Sequence, residues 1–214
     1  MISEENRNRL IYGIIYITFL LFGITYSTLS CSVLFGLIGV ICLYEIWKLR
    51  KDKTKIFAIL YVSTPFILIQ ILIWKYLSFN IYDTENWNFE PILYLVILTS
   101  IYDTFAYLVG VRFGKNKIIP TISPKKSWEG FFGGFLFTAF ASAYFFNNDT
   151  TTFLFYSFLI PISATTGDFI ESSFKRQADV KDSGNLIPGH GGMLDRMDSL
   201  LISISIISLL IFYT

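Results

Sequence analysis

Histidine and cysteine are scarce in this sequence, and their scarcity disfavours several kinds of enzyme site. The 214 residues include one histidine and two cysteines. A single histidine leaves little from which to build a zinc centre or a Ser-His-Asp triad. Cys31 and Cys42 both lie in apolar sequence, so we expect buried thiols and neither a disulfide nor a metal pair. Internal repeats and low-complexity segments are also lacking.

Charged residues are few, and long apolar runs take their place. The chain is 15% charged, 53% hydrophobic and 18% aromatic, with a mean hydropathy of +0.56. A soluble domain of this length cannot bury so much apolar surface, so the composition predicts a polytopic membrane protein. No small-residue cleavage site follows the first apolar run, which we therefore expect to be an anchor. The net charge of +1 does not itself bear on nucleic-acid binding. We expect the partners to include no nucleic acid.

The apolar runs predict an all-α fold, because roughly 20 apolar residues in a helix span a bilayer. We predict about seven transmembrane helices: two within 10–47 separated by a turn near 27–32, then 56–74, 91–111, 131–146, 153–170 and 197–212. Pro65 is expected to kink the third, and Gly130, Gly133 and Gly134 to let the fifth pack closely. We treat 1–214 as one membrane-embedded domain, with N-terminal helices in 10–90 and a catalytic half in 91–214.

Cationic residues are grouped in three segments of the chain. Segments 48–55 and 112–126 carry five each and 175–196 carries four, whereas 75–90 and 147–152 are acidic or poor in lysine. Cationic loops stay on the cytoplasmic side of a membrane. The pattern predicts a multi-pass protein of the cell (inner) membrane, with a polar cavity that faces the cytoplasm.

The segment 168–198 holds six acidic and four basic residues between two apolar runs. Carboxylates that hold a hard cation, beside lysines and arginines that neutralise phosphate, are typical of a metal-bridged polyphosphate site. We expect Asp168 and Asp195, at two helix ends joined by a 24-residue loop, to hold one Mg²⁺. Glu171 and Asp198 are further candidate ligands. The alternatives are a solvated loop and, for Asp195, a helix cap.

The same segment offers cations and a glycine-rich turn to a phosphate substrate. In such a turn the backbone N–H groups can approach an anion closely. We assign catalytic roles to Lys175 and Lys181 beside the two aspartates, and leave open whether His190 acts or only forms hydrogen bonds. The candidates for substrate binding here are Arg176, Asp182, His190, Gly191, Gly192 and Arg196.

A second polar group precedes the fifth predicted span. Ser123, Lys125 and Lys126 place a hydroxyl beside two ammonium groups, which predicts a contact with phosphate or a lipid headgroup; the alternative is a plain topology signal. Asp103 lies inside the fourth span and must face a polar cavity or a partner. For Glu45, near the end of the second span, a plain interfacial position is an open alternative.

These motifs resemble those of the phosphatidate cytidylyltransferases, also called CDP-diacylglycerol synthases. The resemblance extends from about residue 101 to 201 and rests on four stretches: YDTFAYLVGVRFGK, SPKKSWEGFFGG, GDFIES and SSFKRQADVKDSGNLIPGHGGMLDRMD. Members of the family have more spans ahead of this part, so the sequence looks trimmed at its N-terminus.

The resemblance implies a Mg²⁺-dependent integral membrane enzyme that joins CTP to phosphatidic acid, giving CDP-diacylglycerol and pyrophosphate. By the family's pattern, Asp168 and Asp195 would hold the metal, and Lys175, Arg176 and Lys181 would face the triphosphate. The resemblance also implies a homodimer. Whether a second, monovalent cation binds beside the Mg²⁺ stays open.

A single histidine fits this chemistry, because a phosphate monoester is already largely ionised near neutral pH and needs no general base. Two kinds of rival are open. One is a transferase for another lipid phosphate, or a polyprenol kinase. The other is a transporter, which the gathering of charge at one face disfavours.

Overall fold

The computed structural model describes residues 4–51, 53–75, 87–186 and 191–213, whose regular structure is helical apart from isolated bridge residues, among them the pair Lys117 and Ser127. The helices are α1 (Glu4–Tyr26), α2 (Thr28–Leu49), α3 (Ile56–Lys75), α4 (Glu90–Phe113), α5 (Trp128–Phe145), α6 (Thr150–Gln177) and α7 (Leu194–Tyr213). The predicted all-α class is confirmed, and each predicted span corresponds to one helix.

The helices identify a membrane protein. By length and composition, α2, α3, α4 and α6 could each cross a bilayer, and α1 has a shorter apolar part, Ile11–Tyr26. Large apolar side chains point outward along several helices; Phe57 is 78% exposed and Tyr144 is 81% exposed. Such surfaces suit lipid better than water. That all seven helices cross the membrane stays a prediction.

Polar caps set the helix boundaries. The predicted turn between the first two spans is confirmed at Ser27, whose Oγ accepts from the Ser30 N–H at 3.1 Å while Ser30 Oγ accepts from the Ser27 N–H at 2.9 Å. Asp149 precedes α6 and accepts from the backbone N–H groups of Thr151 and Thr152, each at 3.1 Å. Together with the Thr152 hydroxyl, the largest contributor, these bonds lower the pKa of Asp149.

Glycines bring α4 and α5 into close contact, as predicted. A Cβ atom on Gly133 would lie 2.6 Å from Val109 Cβ, and one on Gly134 would lie 2.7 Å from the ring of Tyr102. Glycine at these positions therefore decides how near the two helices approach. Helix α3 continues through Pro65, and its kink stays a prediction.

Hydrogen bonds join α6 to its neighbours on three sides. Tyr61 of α3 donates to the Gly167 carbonyl at 2.9 Å, and the hydroxyls of Ser163 and Ser203 on α7 lie 2.7 Å apart. Tyr102 of α4 shares a hydrogen bond with Thr165. Helix α6 is thus the central support of the polar region described next.

The state of the two cysteines was predicted correctly, whereas the length of one loop was not. Cys31 and Cys42 are buried and free, as predicted. The predicted loop between the sixth and seventh spans was too long, because α6 continues to Gln177 and the connection is 178–193. The extra helical turns contain the buried i,i+4 ion pair of Glu171 and Lys175.

Candidate active site

A cavity of about 650 Å³ lies where α4, α5, α6 and α7 meet the loop that follows α4. Three helices each contribute one carboxylate to its wall: Asp103 from α4, Asp168 from α6 and Asp198 from α7. The loop and the nearby helix turns add cations and hydroxyls. The remaining polar lining is Tyr102, Tyr107, Lys117, Ser123, Lys125, Lys126, Ser127, Thr165 and Ser199. Asp103, for which the sequence predicted a polar cavity or a partner, lies on this wall.

Asp168 is the best-connected carboxylate of the cavity. Its Oδ2 lies 2.6 Å from Lys126 Nζ, and its Oδ1 accepts from Ser172 Oγ at 3.0 Å. Asp103 and Asp168 both act electrostatically on Asp198. The cavity therefore concentrates negative charge on its helices, and a lysine from the loop offsets part of it.

The loop that carries the lysines is held in place from both ends. The Ile118 N–H donates to the Lys126 carbonyl at 3.2 Å, and the Trp128 N–H donates to the Asn116 carbonyl at 2.9 Å. Arg176 Nε, near the end of α6, donates to the Ile122 carbonyl at 3.2 Å. These bonds fix the position of Lys126 relative to α6.

A second group of charges lies beside the cavity, around Lys175 of α6. Its Nζ is 2.5 Å from Glu171 Oε2 and 2.8 Å from Asp195 Oδ1. The other Asp195 oxygen accepts from the N–H groups of Ser183 and Gly192, each at 2.8 Å, and from Ser183 Oγ at 3.0 Å. We call Glu171, Lys175, Ser183 and Asp195 the Lys175 cluster.

Glu171 is the most deeply buried member of this cluster, with none of its side chain exposed. Neither of its oxygens has a hydrogen-bond partner within the described part of the chain, so its interaction there is the ion pair with Lys175. A buried carboxylate with spare acceptor capacity is suited to a further cation.

The structure divides the predicted site residues between these two places. Asp103, Ser123, Lys125, Lys126, Asp168 and Asp198 line the cavity. Glu171, Lys175 and Asp195 form the adjoining cluster, with Gly191 and Gly192 next to Asp195. Lys181, Asp182 and Arg196 are exposed. His190 lies outside the described residues.

The structure shows what Arg176 and Asp195 contact, and both residues keep their proposed roles as predictions. Arg176 is exposed and donates to the carbonyls of Ile122 and Val180, so its role toward substrate stays a prediction. Asp195 accepts the Gly192 N–H just ahead of α7, a role close to the capping alternative. It does not line the cavity, and a cation shared with Asp168 stays a prediction.

Sequence reasoning gave Glu45 no role in the site and did not single out Ser183. Glu45 of α2 is only 5% exposed, and a position at the membrane interface stays a prediction. Its oxygens accept from the backbone N–H groups of Met193 and Leu194 at 3.0 and 2.8 Å. The sequence signal that could have found Glu45 is a lone acidic residue in a nearly uncharged run. Ser183 gave no such signal, because serine is common in loops.

The donor set of this region fits Mg²⁺. Its ligands would be carboxylate oxygens, which hard cations prefer. No three Asp, Glu, His or Cys side chains among the described residues are placed to form a complete metal centre. Mg²⁺ usually takes one or two carboxylates and completes its shell with water and substrate phosphate. The arrangement is therefore suited to a cation that arrives with a phosphate substrate.

Comparisons with known proteins give one consistent result. Similar proteins named phosphatidate cytidylyltransferase occur in Haemophilus influenzae (44% identical over 144 residues, 60% of this chain and 50% of the relative) and in Staphylococcus aureus strain COL (40% over 135 residues, 61% and 52%). Another, from Thermotoga maritima, is 37% identical over 161 residues, covering 71% and 58% of the two chains. The chain thus spans about half the length of the curated relatives it matches.

The match to a family is broader than any one of these alignments. The family's sequence profile matches residues 55–214, from just before α3 to the last residue. The matched region contains the whole cavity lining and the Lys175 cluster. The chain therefore belongs to the cytidylyltransferase family.

Proposed function

We propose that this protein is a CTP:phosphatidate cytidylyltransferase, which makes CDP-diacylglycerol and pyrophosphate for phospholipid synthesis. The names of its relatives support this substrate pair. The observation that carries the proposal is the cavity itself, where Asp103, Asp168 and Asp198 from three helices lie beside lysines of one loop. Carboxylates and lysines together can bind a metal-bound triphosphate and a second phosphate at once.

The reaction transfers a cytidylyl group between two anions. An oxygen of the lipid phosphate attacks the α-phosphorus of CTP, the bond from that phosphorus to the bridging oxygen breaks, and pyrophosphate leaves with the electron pair. The attacking oxygen is already ionised, so no side chain need remove a proton. The barrier is charge repulsion, which Lys117, Lys125 and Lys126 on the cavity wall are placed to reduce.

Within this proposal, Asp168 and Asp195 would hold Mg²⁺, and Glu171 and Asp198 would be further ligands. When bound, the ion supplies Lewis-acid stabilisation of charge on the phosphate oxygens. Lys126 pairs with Asp168 and Lys175 pairs with Asp195 in the structure. Each ammonium group holds an oxygen that a metal would use, so both lysines would turn to phosphate when the metal and nucleotide bind.

The remaining cations complete the substrate assignment. We assign Lys175, Arg176, Lys181 and Arg196 to the triphosphate, together with the glycine-rich segment 188–192, and Ser123, Lys125 and Lys126 to the lipid headgroup. The apolar surfaces of the helices around the cavity suit the acyl chains. A second, monovalent cation is a further part of the proposal.

We also propose a single domain of seven spans in the inner membrane, with the cavity on the cytoplasmic side, and a homodimer. The three cationic segments support this orientation. Single cysteines placed at Lys53, Lys117 and Lys181, in a chain with Cys31 and Cys42 replaced by alanine, should all react with a membrane-impermeant thiol reagent from the cytoplasmic side. Labelling of any one from the other side would reject the orientation.

The activity is tested with purified protein in nanodiscs and labelled CTP. We expect pyrophosphate release that needs both Mg²⁺ and phosphatidate, and that is lost in Asp195→Ala. Turnover with an isoprenoid phosphate or a free polyprenol, but not with phosphatidate, would replace the proposal by one of these rivals. Ion flux into vesicles without CTP turnover would indicate a transporter.

A further inference from the structure

We infer that Glu45 of α2 is a positioning residue for the Lys175 cluster, a role that rests on the function proposed above. Glu45 lies outside the region matched by the family profile, which begins at residue 55. It does not line the cavity, so it would act through the residues that it holds.

The first observation is that Glu45 accepts hydrogen bonds from the backbone at the start of α7. Its Oε1 accepts from the Met193 N–H at 3.0 Å, and its Oε2 accepts from the Leu194 N–H at 2.8 Å. N–H groups at a helix start have no partner within the helix, and a negative charge there is favourable. A residue 148 or more positions earlier in the chain thus supplies the acceptor that α7 needs.

The second observation connects Glu45 to Asp195. Ser183 Oγ lies 3.2 Å from Glu45 Oε2 and 3.0 Å from Asp195 Oδ2, so this hydroxyl stands between two carboxylates. Asp195 also directly follows Leu194, whose N–H Glu45 holds. Glu45 therefore fixes both the chain position of Asp195 and the serine that orients its carboxylate.

The third observation is the shape of the loop around the Glu45 carboxylate. A Cβ atom on Gly184 would lie 2.6 Å from Glu45 Oε1, and one on Gly192 would lie 2.6 Å from Oε2. Only glycine lets the backbone come this close on both sides. Gly184 and Gly192 of the connection thus lie on either side of a side chain of α2.

Helix α2 also supports the other end of that loop. Arg50, which follows α2, donates from Nη1 to Gln177 Oε1 at 2.5 Å, and its guanidinium lies 5.3 Å from the centre of the Phe174 ring. One helix therefore holds both the end of α6 and the start of α7. This explains how Lys175 and Asp195, on separate helices, keep a fixed distance.

Hydrogen–deuterium exchange on the purified full chain tests this role without any assay of activity. Glu45→Gln keeps the size of the side chain but turns an NH₂ donor toward one of the two N–H groups. We expect exchange in 183–195 to become about tenfold to hundredfold faster, the loss of a hydrogen bond to a charged group. Glu90→Gln, an exposed glutamate in the first turn of α4, is the matched control and should leave exchange there unchanged.

Gly184→Ala provides a second perturbation from the loop side, because its new methyl group would displace the Glu45 carboxylate. It should produce the same local increase in exchange. If exchange in 183–195 is unchanged in both variants, or rises equally throughout the chain, the inference is overturned.

The Mg²⁺ dependence of activity distinguishes a positioning role for Glu45 from a purely structural one. Glu45→Gln should raise the Mg²⁺ concentration for half-maximal turnover by about 10–100-fold, the usual effect of losing a residue that orients a metal ligand. Glu45→Asp, which keeps the charge, should retain more activity. A fall in Tm with unchanged Mg²⁺ dependence would reject positioning. If wild type itself does not turn over CTP with phosphatidate, the proposed function fails, while the exchange result still decides the role of Glu45 in holding the loop.

Discussion

Lys175 and Asp195 join the end of α6 to the start of α7: Lys175 Nζ lies 2.8 Å from Asp195 Oδ1. The two helix ends therefore meet, whereas a cation shared by Asp168 and Asp195 stays a prediction. The same ammonium also neutralises the buried Glu171 at 2.5 Å. Lys175 thus forms ion pairs with two carboxylates on two helices. It contributes both to the stability of the protein and to the proposed chemistry.

Lys175→Met should be strongly destabilising, because it leaves two carboxylates without their cation. Lys175 is 11% exposed, Glu171 0% and Asp195 9% in their side chains. Breaking a buried pair by removing one partner costs about 3–5 kcal/mol. Unfolding in mixed micelles measures this cost. Lys125→Met, on an exposed lysine, is the control, and Lys175→Met with Glu171→Gln should recover part of the loss.

Asp195→Ala should abolish turnover, whereas His190→Ala should leave measurable activity. The proposed chemistry needs a carboxylate to hold Mg²⁺ but no general base. Steady-state pyrophosphate release distinguishes the two variants. A chelator should likewise stop wild-type turnover, and added Mg²⁺ should restore it. Equal and complete loss in both variants would contradict this division of roles.

Lys126→Met should lower kcat/KM by about 10²–10³-fold, the usual effect of removing a group that stabilises transition-state charge. Lys126 both lines the cavity and pairs with Asp168 at 2.6 Å. Initial rates over a range of CTP and phosphatidate concentrations show which substrate is affected. Lys48→Met, in another cationic segment, is the matched control and should keep wild-type kinetics.

Gly134→Ala should destabilise the α4–α5 contact by about 1–3 kcal/mol, a typical cost of overpacking. The new Cβ atom would lie 2.7 Å from the Tyr102 ring and 2.8 Å from the Tyr102 carbonyl oxygen. Because Tyr102 lines the cavity, turnover should fall as well. Gly36→Ala is the control: its Cβ atom would be 3.7 Å from Gln70 Nε2, so Tm should be unchanged or higher. Equal effects of the two substitutions would reject close packing as the cause.

Local patterns were sufficient for the helices and for much of the cavity wall. The apolar runs predicted each of the seven helices because hydrocarbon demands uninterrupted apolar sequence. Asp168, Glu171 and Ser172 have the i, i+3 and i+4 spacing of one helix face, and all three lie on α6. Asp103 was recognised because an intramembrane acid needs a polar surrounding. These inferences depend only on neighbours within one element.

The division of the acidic residues between two places could not be predicted in this way. Asp168 and Asp198 line the cavity, whereas Asp195 turns to Lys175 and Ser183. Spacing along one helix does not tell which neighbouring helix a side chain faces. The length of α6 was misjudged for a different reason: its last turns carry charged residues, so hydropathy places the end of the helix too early.

The sequence alone determined the all-helical class, the apolar spans, the grouping of charge and the family. Tertiary structure alone decided that Glu45 is buried against the start of α7 and that α2 supports both ends of the loop 178–193. The physical reason is that apolar burial is encoded residue by residue, whereas a hydrogen bond between Glu45 and Leu194 depends on how separate helices pack. Side chains distant in sequence acquire partners only when that packing is complete.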